Sequence, residues 1–242
     1  MAGLAVGYPM SEARGGSNPD TSTLYDINGI AKAAPNWLDR LVEFIGEYGI
    51  VLGLGVLMLF AWWSVRKRED APAAVAALCW APLAAGIALL VNIPIRGFVK
   101  RPRPFLDHSG LEVLVKGKTD YSFVSDHATL TMALGVGLFV AHRKYGLIGI
   151  ALAFLEGFCR VYMGVHYPTD VIGGLALGTA VALLLAPLAM MLLTPLARRV
   201  AETRAGRLVR SDRAVAPLVA AAGPAGRGLP EQPLHRDNDL AA

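Results

Sequence analysis

The chain has 242 residues, of which 54% are hydrophobic and only 17% are charged, and its formal net charge is +4. Its apolar residues come in blocks near the length of a membrane span rather than in alternation, which argues against a soluble single domain. Many basic residues fall in short loops beside these blocks, where membrane topology or phosphate binding explains them. Nucleic acid is therefore not an expected partner.

The two ends of the chain are predicted to be disordered tails. Residues 1–22 are rich in Gly, Ser, Pro and Asp, and residues 198–242 form a basic tail without hydrophobic periodicity in most of its length. The start lacks the basic and apolar regions of a cleaved signal peptide. The residues between the tails, 23–197, are predicted to form one membrane-embedded domain.

Helical periodicity begins between residues 24 and 47, is broken at Pro35, and predicts an amphipathic segment at the membrane interface. Five membrane spans follow, at about residues 45–65, 72–95, 127–140, 145–160 and 171–193. The third and fourth are short, so we expect their ends to extend into the loops. The predicted fold class is an all-α polytopic membrane helix bundle of about five spans with an N-terminal interfacial helix.

Three polar segments lie at the ends of these apolar runs. In chain order they contain Arg96 with Arg103-Pro104, then Ser125-Asp126-His127, then Arg160 with His166 and Asp170. Charged groups at a membrane boundary are costly, so we expect these segments to serve chemistry.

Taken in order, the three segments resemble the signature of the type 2 phosphatidic-acid phosphatase superfamily. That signature is a basic residue, six residues and Arg-Pro; then Ser-Gly-His; then Ser-Arg, five residues, His, three residues and Asp. The chain departs from the general family pattern at three positions, with Val124 where proline is usual, Asp126 where glycine is usual and Cys159 where serine is usual. Arg96 meets the requirement for a basic residue at a position usually held by lysine. None of these changes removes a nucleophile, an acid or an arginine that the resemblance implies.

The resemblance implies a role for each residue of the site. His166 would attack phosphorus and form a phosphohistidine, Asp170 would accept a hydrogen bond from its other ring nitrogen, and His127 would protonate the leaving oxygen. Planar guanidinium groups suit the clamping of phosphate oxygens. The phosphate-binding residues would be Arg96, Arg103, Ser125, Asp126 and Arg160.

Simpler interpretations exist for single residues. Ser125 and Asp126, or His166 and Asp170, could act only as helix caps, but the three motifs in order favour the phosphatase interpretation. Four further basic residues are interpreted as solvated or headgroup-facing charges: Lys100, Arg101, Lys116 and Lys118. Glu156, four residues before Arg160, would either orient that arginine or balance its charge.

No metal or other cofactor is expected. His166 and Asp170 could ligate a metal ion, but no further His or Cys cluster of suitable spacing accompanies them. Cys79 and Cys159 form neither a metal motif nor a disulfide framework.

Segments 122–127 and 166–170 are similar to the bacitracin-resistance type of undecaprenyl-diphosphate phosphatase, and the similarity runs from about residue 24 to 193. It implies that a polyprenyl diphosphate is cleaved to the monophosphate, which would recycle the carrier lipid of wall synthesis. Phosphatidic acid or phosphatidylglycerol phosphate would also suit a site with cations at the mouths of apolar helices. A vanadate-dependent haloperoxidase is disfavoured by the apolar spans, and a non-catalytic lipid carrier by the two histidines and Asp170.

The basic loops predict the orientation of the chain in the cell membrane. The pairs and triplets at residues 66–68, 143–144 and 198–199 fall on one side, which the positive-inside rule makes cytoplasmic. The three motifs would then face outward. The loop from Arg96 to Asp126 carries six basic residues and opposes this assignment, unless several of them bind phosphate.

Overall fold

A computed structural model describes residues 18–210, and every regular element within that range is helical, which confirms the all-α fold class. The α-helices in chain order are α1 (Pro19–Ala33), α2 (Asn36–Phe44), α3 (Ile50–Val65), α4 (Ala71–Val99), α5 (Pro104–Asp107), α6 (Asp126–Ala141), α7 (Arg143–Tyr162), α8 (Pro168–Leu184) and α9 (Ala186–Ala201). A π-helical turn, Ile45–Gly49, joins α2 to α3, and a 3-10 helix, Arg204–Leu208, follows α9.

Large apolar side chains cover the outside of the bundle. Phe98 is 90% exposed and Leu184 77% exposed, as expected for side chains that face lipid. The helical segments Asn36–Val65, Ala71–Asp107 and Arg143–Tyr162 are each long and apolar enough to cross a bilayer. Helices α8 and α9 are long and apolar enough to cross a bilayer when they are taken together as one bent span, while α6 is apolar but shorter. The chain is a multi-pass membrane protein.

The N-terminal part differs from the sequence prediction in two respects. Helix α1 begins at Pro19, inside the predicted tail, because the Asn18 side chain caps it and Asp20 in its first turn accepts a hydrogen bond from α8. The break at Pro35 is confirmed, but α2 belongs to the first span rather than to the interface. The backbone stays helical through Ile45–Gly49, since no proline interrupts residues 36–65.

The last predicted span, residues 171–193, is bent rather than continuous. Helix α8 ends at Leu184 and α9 leaves at an angle of 51°. Pro187 lies in the first turn of α9, where its missing N–H and fixed φ favour a new helix start.

The helical structure also extends beyond the predicted end of the domain at residue 197. Helix α9 runs to Ala201, and Val209 packs with it against α3 and α4. The Trp62 indole N–H donates to the Leu208 carbonyl at 2.9 Å and holds this end in place. The rest of the two predicted tails, residues 1–17 and 211–242, lies outside the described residues.

Helix α6 lies at the centre of the bundle, and small residues let its neighbours approach closely. A Cβ atom on Gly135 would lie 2.8 Å from the backbone of Gly149 in α7, and one on Gly137 would lie 2.6 Å from Ala81 in α4. Gly178 of α8 contacts the α6 backbone in the same manner. Because α6 and α8 run opposite to α4 and α7, the N-terminal ends of the first pair meet the C-terminal ends of the second. All three motifs therefore lie at one end of the bundle.

Candidate active site

The turn between α7 and α8 presents His166. Within it, Gly164 has a φ of 71°, and a Cβ atom there would lie 2.7 Å from the Glu112 carbonyl oxygen. The Asn28 side chain donates to the carbonyls of Glu112 and Tyr162, each at 2.8 Å, and ties this turn to α1 and to the loop before α6. The turn is thus fixed from several sides, and His166 is only 5% exposed.

The His166 ring lies between an aspartate and an arginine. Its Nδ1 is 3.6 Å from Oδ2 of Asp170, an ion-pair separation longer than a hydrogen bond. Its Nε2 is 3.3 Å from Nη1 of Arg103. Because a guanidinium group only donates, Nε2 must accept, and the neutral ring carries its proton on Nδ1, facing Asp170. This tautomer turns the Nε2 lone pair toward the arginine.

The electrostatic surroundings keep this ring neutral. Burial lowers the pKa of His166, and the charges of Arg103 and Arg160 lower it further, while the hydrogen-bonding and charge effects of Asp170 act in the opposite direction. A pKa below the usual 6.5 leaves the ring uncharged at neutral pH. An uncharged Nε2 is the form that can act as a nucleophile.

Asp170 is fully buried and accepts hydrogen bonds on both carboxylate oxygens. Its Oδ2 accepts from the Tyr167 backbone N–H, and its Oδ1 accepts from Nη1 of Arg101, both at 2.9 Å. The backbone N–H of Ser125 donates to the Asp170 carbonyl at 3.1 Å. The first turns of α6 and α8 therefore lie side by side.

Arg103 is buried and is held by a carboxylate. Its Nε and Nη2 donate to Oδ1 of Asp120 at 3.2 and 2.7 Å, and its Nη1 donates to the Val165 carbonyl at 2.9 Å. Oδ2 of Asp120 accepts from Arg96 at 2.8 Å. One carboxylate thus bridges two of the predicted phosphate-binding arginines. Burial acts to raise the pKa of Asp120, but the hydrogen bonds from Arg103 outweigh it and hold this pKa below its usual range.

Arg160 is almost fully buried and is also paired with carboxylates. Its Nη1 donates to Oε2 of Glu47 at 3.0 Å, and its Nη2 contacts the Gly46 carbonyl. Its Nε lies 2.8 Å from Oε1 of Glu156, the partner that helical spacing indicates. Lys118 donates to the other oxygen of Glu47 at 2.9 Å. Both buried arginines are therefore neutralised by carboxylates in this structure.

The π-helical turn Ile45–Gly49 explains how Glu47 reaches α7. A Cβ atom on Gly46 would lie 2.8 Å from the Cβ of Cys159, so only glycine permits this approach of the two helices. π-Helical turns often occur at functional sites because they change the direction of side chains. Here the turn brings Glu47 beside Arg160.

The side chain of Asp126 is bound by other residues of the site, so the predicted contact of Asp126 with phosphate would use its backbone. Its carboxylate pairs with Arg96 and accepts from Nδ2 of Asn92 at 2.7 Å. A carboxylate repels phosphate, so only the backbone N–H in the first turn of α6 remains available for phosphate binding. Ser125 is the N-cap of α6, as predicted, and its Oγ accepts from the Ala128 backbone N–H at 3.5 Å.

His127 lies in the first turn of α6 and belongs to the same cluster. Its ring lies close enough to Arg160, Glu47, Lys118 and His166 for their titration to influence its own. The structure thus brings together the eight residues predicted from the sequence: Arg96, Arg103, Ser125, Asp126, His127, Arg160, His166 and Asp170.

The interpretation of four basic residues as solvated or headgroup-facing charges is wrong for two of them. Arg101 and Lys118 are not headgroup-facing charges, because Arg101 pairs with Asp20 and Asp170, and Lys118 pairs with Glu47. Lys100 and Lys116 are exposed, as predicted. No local sequence pattern links Arg101 to Asp20, which is 81 residues away.

Four basic side chains surround the two histidines of the site. Within residues 18–210, no group of three or more His, Cys, Asp or Glu side chains is arranged to hold a metal ion. Arg96, Arg103, Arg160 and Lys118 supply the cations around His127 and His166.

This chain is similar to several known proteins. The family profile of the PAP2 superfamily matches residues 75–193, a range that contains the eight predicted site residues. Undecaprenyl-diphosphatase BcrC from Bacillus subtilis is 30% identical over 148 residues, which are 61% of this chain and 72% of that protein. The chain belongs to the PAP2 superfamily. This PAP2 protein is therefore a membrane phosphatase of the lipid phosphatase group.

Two solved structures share the fold of this PAP2 protein. The transmembrane PAP2-type phosphatidylglycerolphosphate phosphatase from Bacillus subtilis matches with a TM-score of 0.51 and 24% identity, over 73% of this chain and 89% of that one. LpxE from Aquifex aeolicus matches with the same TM-score and 23% identity, over 68% of this chain and 92% of that one. At this level of identity the likeness establishes the fold alone.

Proposed function

We propose that this PAP2 protein hydrolyses undecaprenyl diphosphate to the monophosphate through a phosphohistidine on His166. The observation that carries the reaction is the placement of His166, with Nε2 facing Arg103 and Nδ1 facing Asp170. The 30% sequence identity to undecaprenyl-diphosphatase BcrC supports the choice of substrate. Recycling of the carrier lipid of wall synthesis is the corresponding biological role.

The first step is attack by Nε2 of His166 on the terminal phosphorus. A P–N bond forms while the P–O bond to the leaving lipid phosphate breaks, and His127 donates a proton to the leaving oxygen. The ring of His166 keeps its Nδ1 proton and becomes positively charged. Asp170 stabilises that charge.

The second step returns the enzyme to its starting state. Water attacks the phosphohistidine, gives its proton to His127 and breaks the P–N bond. Inorganic phosphate leaves, and the His166 ring is neutral again. Throughout, the guanidinium groups of Arg103 and Arg160 neutralise the phosphoryl oxygens, on which negative charge accumulates.

A panel of lipid phosphates tests the proposal. Purified protein in detergent with EDTA is given undecaprenyl diphosphate, phosphatidic acid or phosphatidylglycerol phosphate, and released phosphate is measured. We expect the highest kcat/KM with undecaprenyl diphosphate, and turnover in EDTA because arginines supply the positive charge. A preference for another lipid would overturn the substrate, and binding without release would indicate a carrier.

The phosphate of the substrate must displace the Asp120 carboxylate from Arg103 and Arg96 before these arginines can bind it. Asp120→Asn tests this competition. Removing this charge leaves the backbone carbonyl of Asp120, which accepts from Nε of Arg103 at 3.0 Å, so Arg103 keeps a fixed partner. We expect KM to fall about two- to fivefold with kcat little changed, the range for loss of a partly exposed ion pair. Inhibition by inorganic phosphate should strengthen by a similar factor.

The matched control for Asp120→Asn is Asp107→Asn, which removes an exposed carboxylate of α5 from the same side of the protein. It should leave KM unchanged. A rise in KM for Asp120→Asn would show that Asp120 supports substrate binding instead of competing with it.

The recycling role also requires an outward-facing site. In the structure the loop of residues 66–68 lies at the end of the bundle opposite to His166, because it follows α3 and precedes the start of α4. The positive-inside rule makes that loop cytoplasmic. The aromatic side chain of Trp62 stacks beneath Arg66 at 4.3 Å, as at a membrane interface.

Labelling of single cysteines tests this orientation. In a background with Cys79→Ser and Cys159→Ser, Lys116→Cys should react in intact cells with a membrane-impermeant thiol reagent, because Lys116 is exposed on the side of the site. Arg68→Cys should react only after the membrane is opened. The reverse pattern would exclude a role in recycling a carrier lipid released outside.

A further inference from the structure

A charged network from three distant parts of the chain lies behind Asp170. Arg101, in the segment after α4, donates from Nη1 to Oδ1 of Asp170 at 2.9 Å and from Nη2 to Oδ2 of Asp20 at 2.6 Å. Asp20 lies in the first turn of α1, and its side chain is only 8% exposed. One guanidinium group is therefore shared between two carboxylates, of which one faces His166.

Asp20 also fixes the first turn of α8. Its Oδ1 accepts from the Thr169 backbone N–H at 2.9 Å, and its Oδ2 accepts from the Thr169 hydroxyl at 2.6 Å. Burial acts to raise the pKa of Asp20, but the hydrogen bonds from Thr169 and Arg101 outweigh it and hold this pKa below its usual range. Asp20 is therefore charged wherever the enzyme is expected to work.

Arg101 also contacts the residue that follows His166. Its guanidinium carbon lies 3.7 Å from the ring centroid of Tyr167, which follows His166 directly. The network thus touches Tyr167, Thr169 and Asp170, three of the four residues after the histidine. Such contacts hold both the backbone and the carboxylate that orient the ring.

We propose that Asp20 and Arg101 are positioning residues that set how strongly Asp170 acts on His166. This inference rests on the proposed role of His166 as nucleophile. The guanidinium of Arg101 partly neutralises the negative charge of Asp170, and Asp20 in turn partly neutralises that guanidinium. Asp20 consequently strengthens the interaction of Asp170 with His166, and Arg101 moderates it.

Opposite changes in the titration of His166 follow from this balance. In Asp20→Asn, Arg101 is left to Asp170 alone, so the pKa of His166 should fall. In Arg101→Gln, the full charge of Asp170 faces the ring, so this pKa should rise. We expect each shift to be about half a pH unit, because the network is partly exposed and screened.

Other charged groups around His166 are the same in both variants. Arg103 faces the ring from the segment before α5, Arg160 from α7, His127 from α6 and Asp170 from α8. A difference between the variants therefore reports Asp20 and Arg101. Loss of folding alone would not move the titration in opposite directions.

The first measurement is the pH dependence of kcat/KM on the lipid phosphate that the unmodified protein hydrolyses best. Activity on the acid side requires a neutral His166, so this limb should move to lower pH in Asp20→Asn and to higher pH in Arg101→Gln. At neutral pH we expect kcat to fall about three- to tenfold in both variants, with KM changed less than kcat. Arg101→Lys keeps the charge, so its acid limb should stay in place.

The second measurement does not depend on catalysis. The ring nitrogens of 15N-histidine-labelled protein are titrated by NMR, and the His166 signal is assigned with His166→Gln. Asp70→Asn and Arg68→Gln, which break an exposed ion pair in the basic loop at the other end of the bundle, serve as controls and should change nothing. A protein that hydrolyses no lipid phosphate would refute the proposed function and still permit this titration. Unchanged or parallel shifts in Asp20→Asn and Arg101→Gln would overturn the positioning role.

Discussion

Replacing His166 by alanine should abolish phosphate release, with a loss of about 10,000-fold or more, as for removal of other covalent nucleophiles. Nε2 is the buried imidazole nitrogen that faces Arg103, and the lowered pKa of the ring keeps this nitrogen unprotonated. Without it no P–N bond can form. Denatured protein from a brief reaction with lipid diphosphate labelled in its terminal (β) phosphate should carry acid-labile phosphate in the unmodified chain and none in His166→Ala.

Two variants make this result specific. His142→Ala removes a histidine at the opposite end of the bundle, at the N-cap of α7, and should retain activity and labelling. Asp170→Asn should fold, form the phosphohistidine slowly and show an intermediate loss, because the ring loses the carboxylate that stabilises its positive charge. Near-normal turnover by His166→Ala would remove the proposed nucleophile.

The local placement of the proposed reacting groups can be predicted from the sequence because it follows local rules. Pro168 begins α8, and this start places His166 and Asp170 about one helical turn apart. Ser125 caps α6, which fixes His127 in the first turn of that helix. Both patterns are contained in fewer than ten consecutive residues, so the sequence carries them directly.

Several other contacts of the site could not be predicted, because the residues that make them come from distant parts of the chain. Glu47 reaches Arg160 across 113 positions, and Asp20 reaches Thr169 across 149. Their contacts depend on how the helices pack, through small residues such as Gly46 that no short motif identifies. For the same reason the sequence alone predicts a solvated or headgroup-facing charge at Arg101.

The bends of the helices belong to the same group of unpredicted features. Apolar composition indicates that residues 171–193 lie in the membrane, but it does not distinguish a straight helix from a pair bent by 51°. Likewise, the amphipathic pattern before residue 47 does not reveal that α2 continues into α3. Hydropathy indicates whether a segment is surrounded by lipid or by water, whereas the direction of a helix depends on packing and on single residues such as Pro187.

Exchange of arginine for lysine should separate the two arginines of the first motif. Arg103 uses three nitrogens at fixed positions, bonding Asp120, the Val165 carbonyl and the edge of His166. The single ammonium group of lysine cannot reproduce this geometry. For Arg103→Lys we expect a fall in kcat/KM of about 100- to 1,000-fold, the usual range for loss of an oriented donor at the reacting centre.

Arg96→Lys is the matched variant and should lose about tenfold or less, because Arg96 is half-buried at the edge of the site and acts chiefly as a charge. Its partners, Asp120 and Asp126, are both carboxylates, which an ammonium group can also bind. Both variants are compared by kcat/KM on the same lipid phosphate, with thermal unfolding in detergent to confirm that the fold is kept. Equal losses would mean that Arg96 also contacts the transferred phosphate. A large loss for Arg103→Lys alone would assign the oriented contact to Arg103 and explain why this chain can carry arginine at a position where the superfamily signature has lysine.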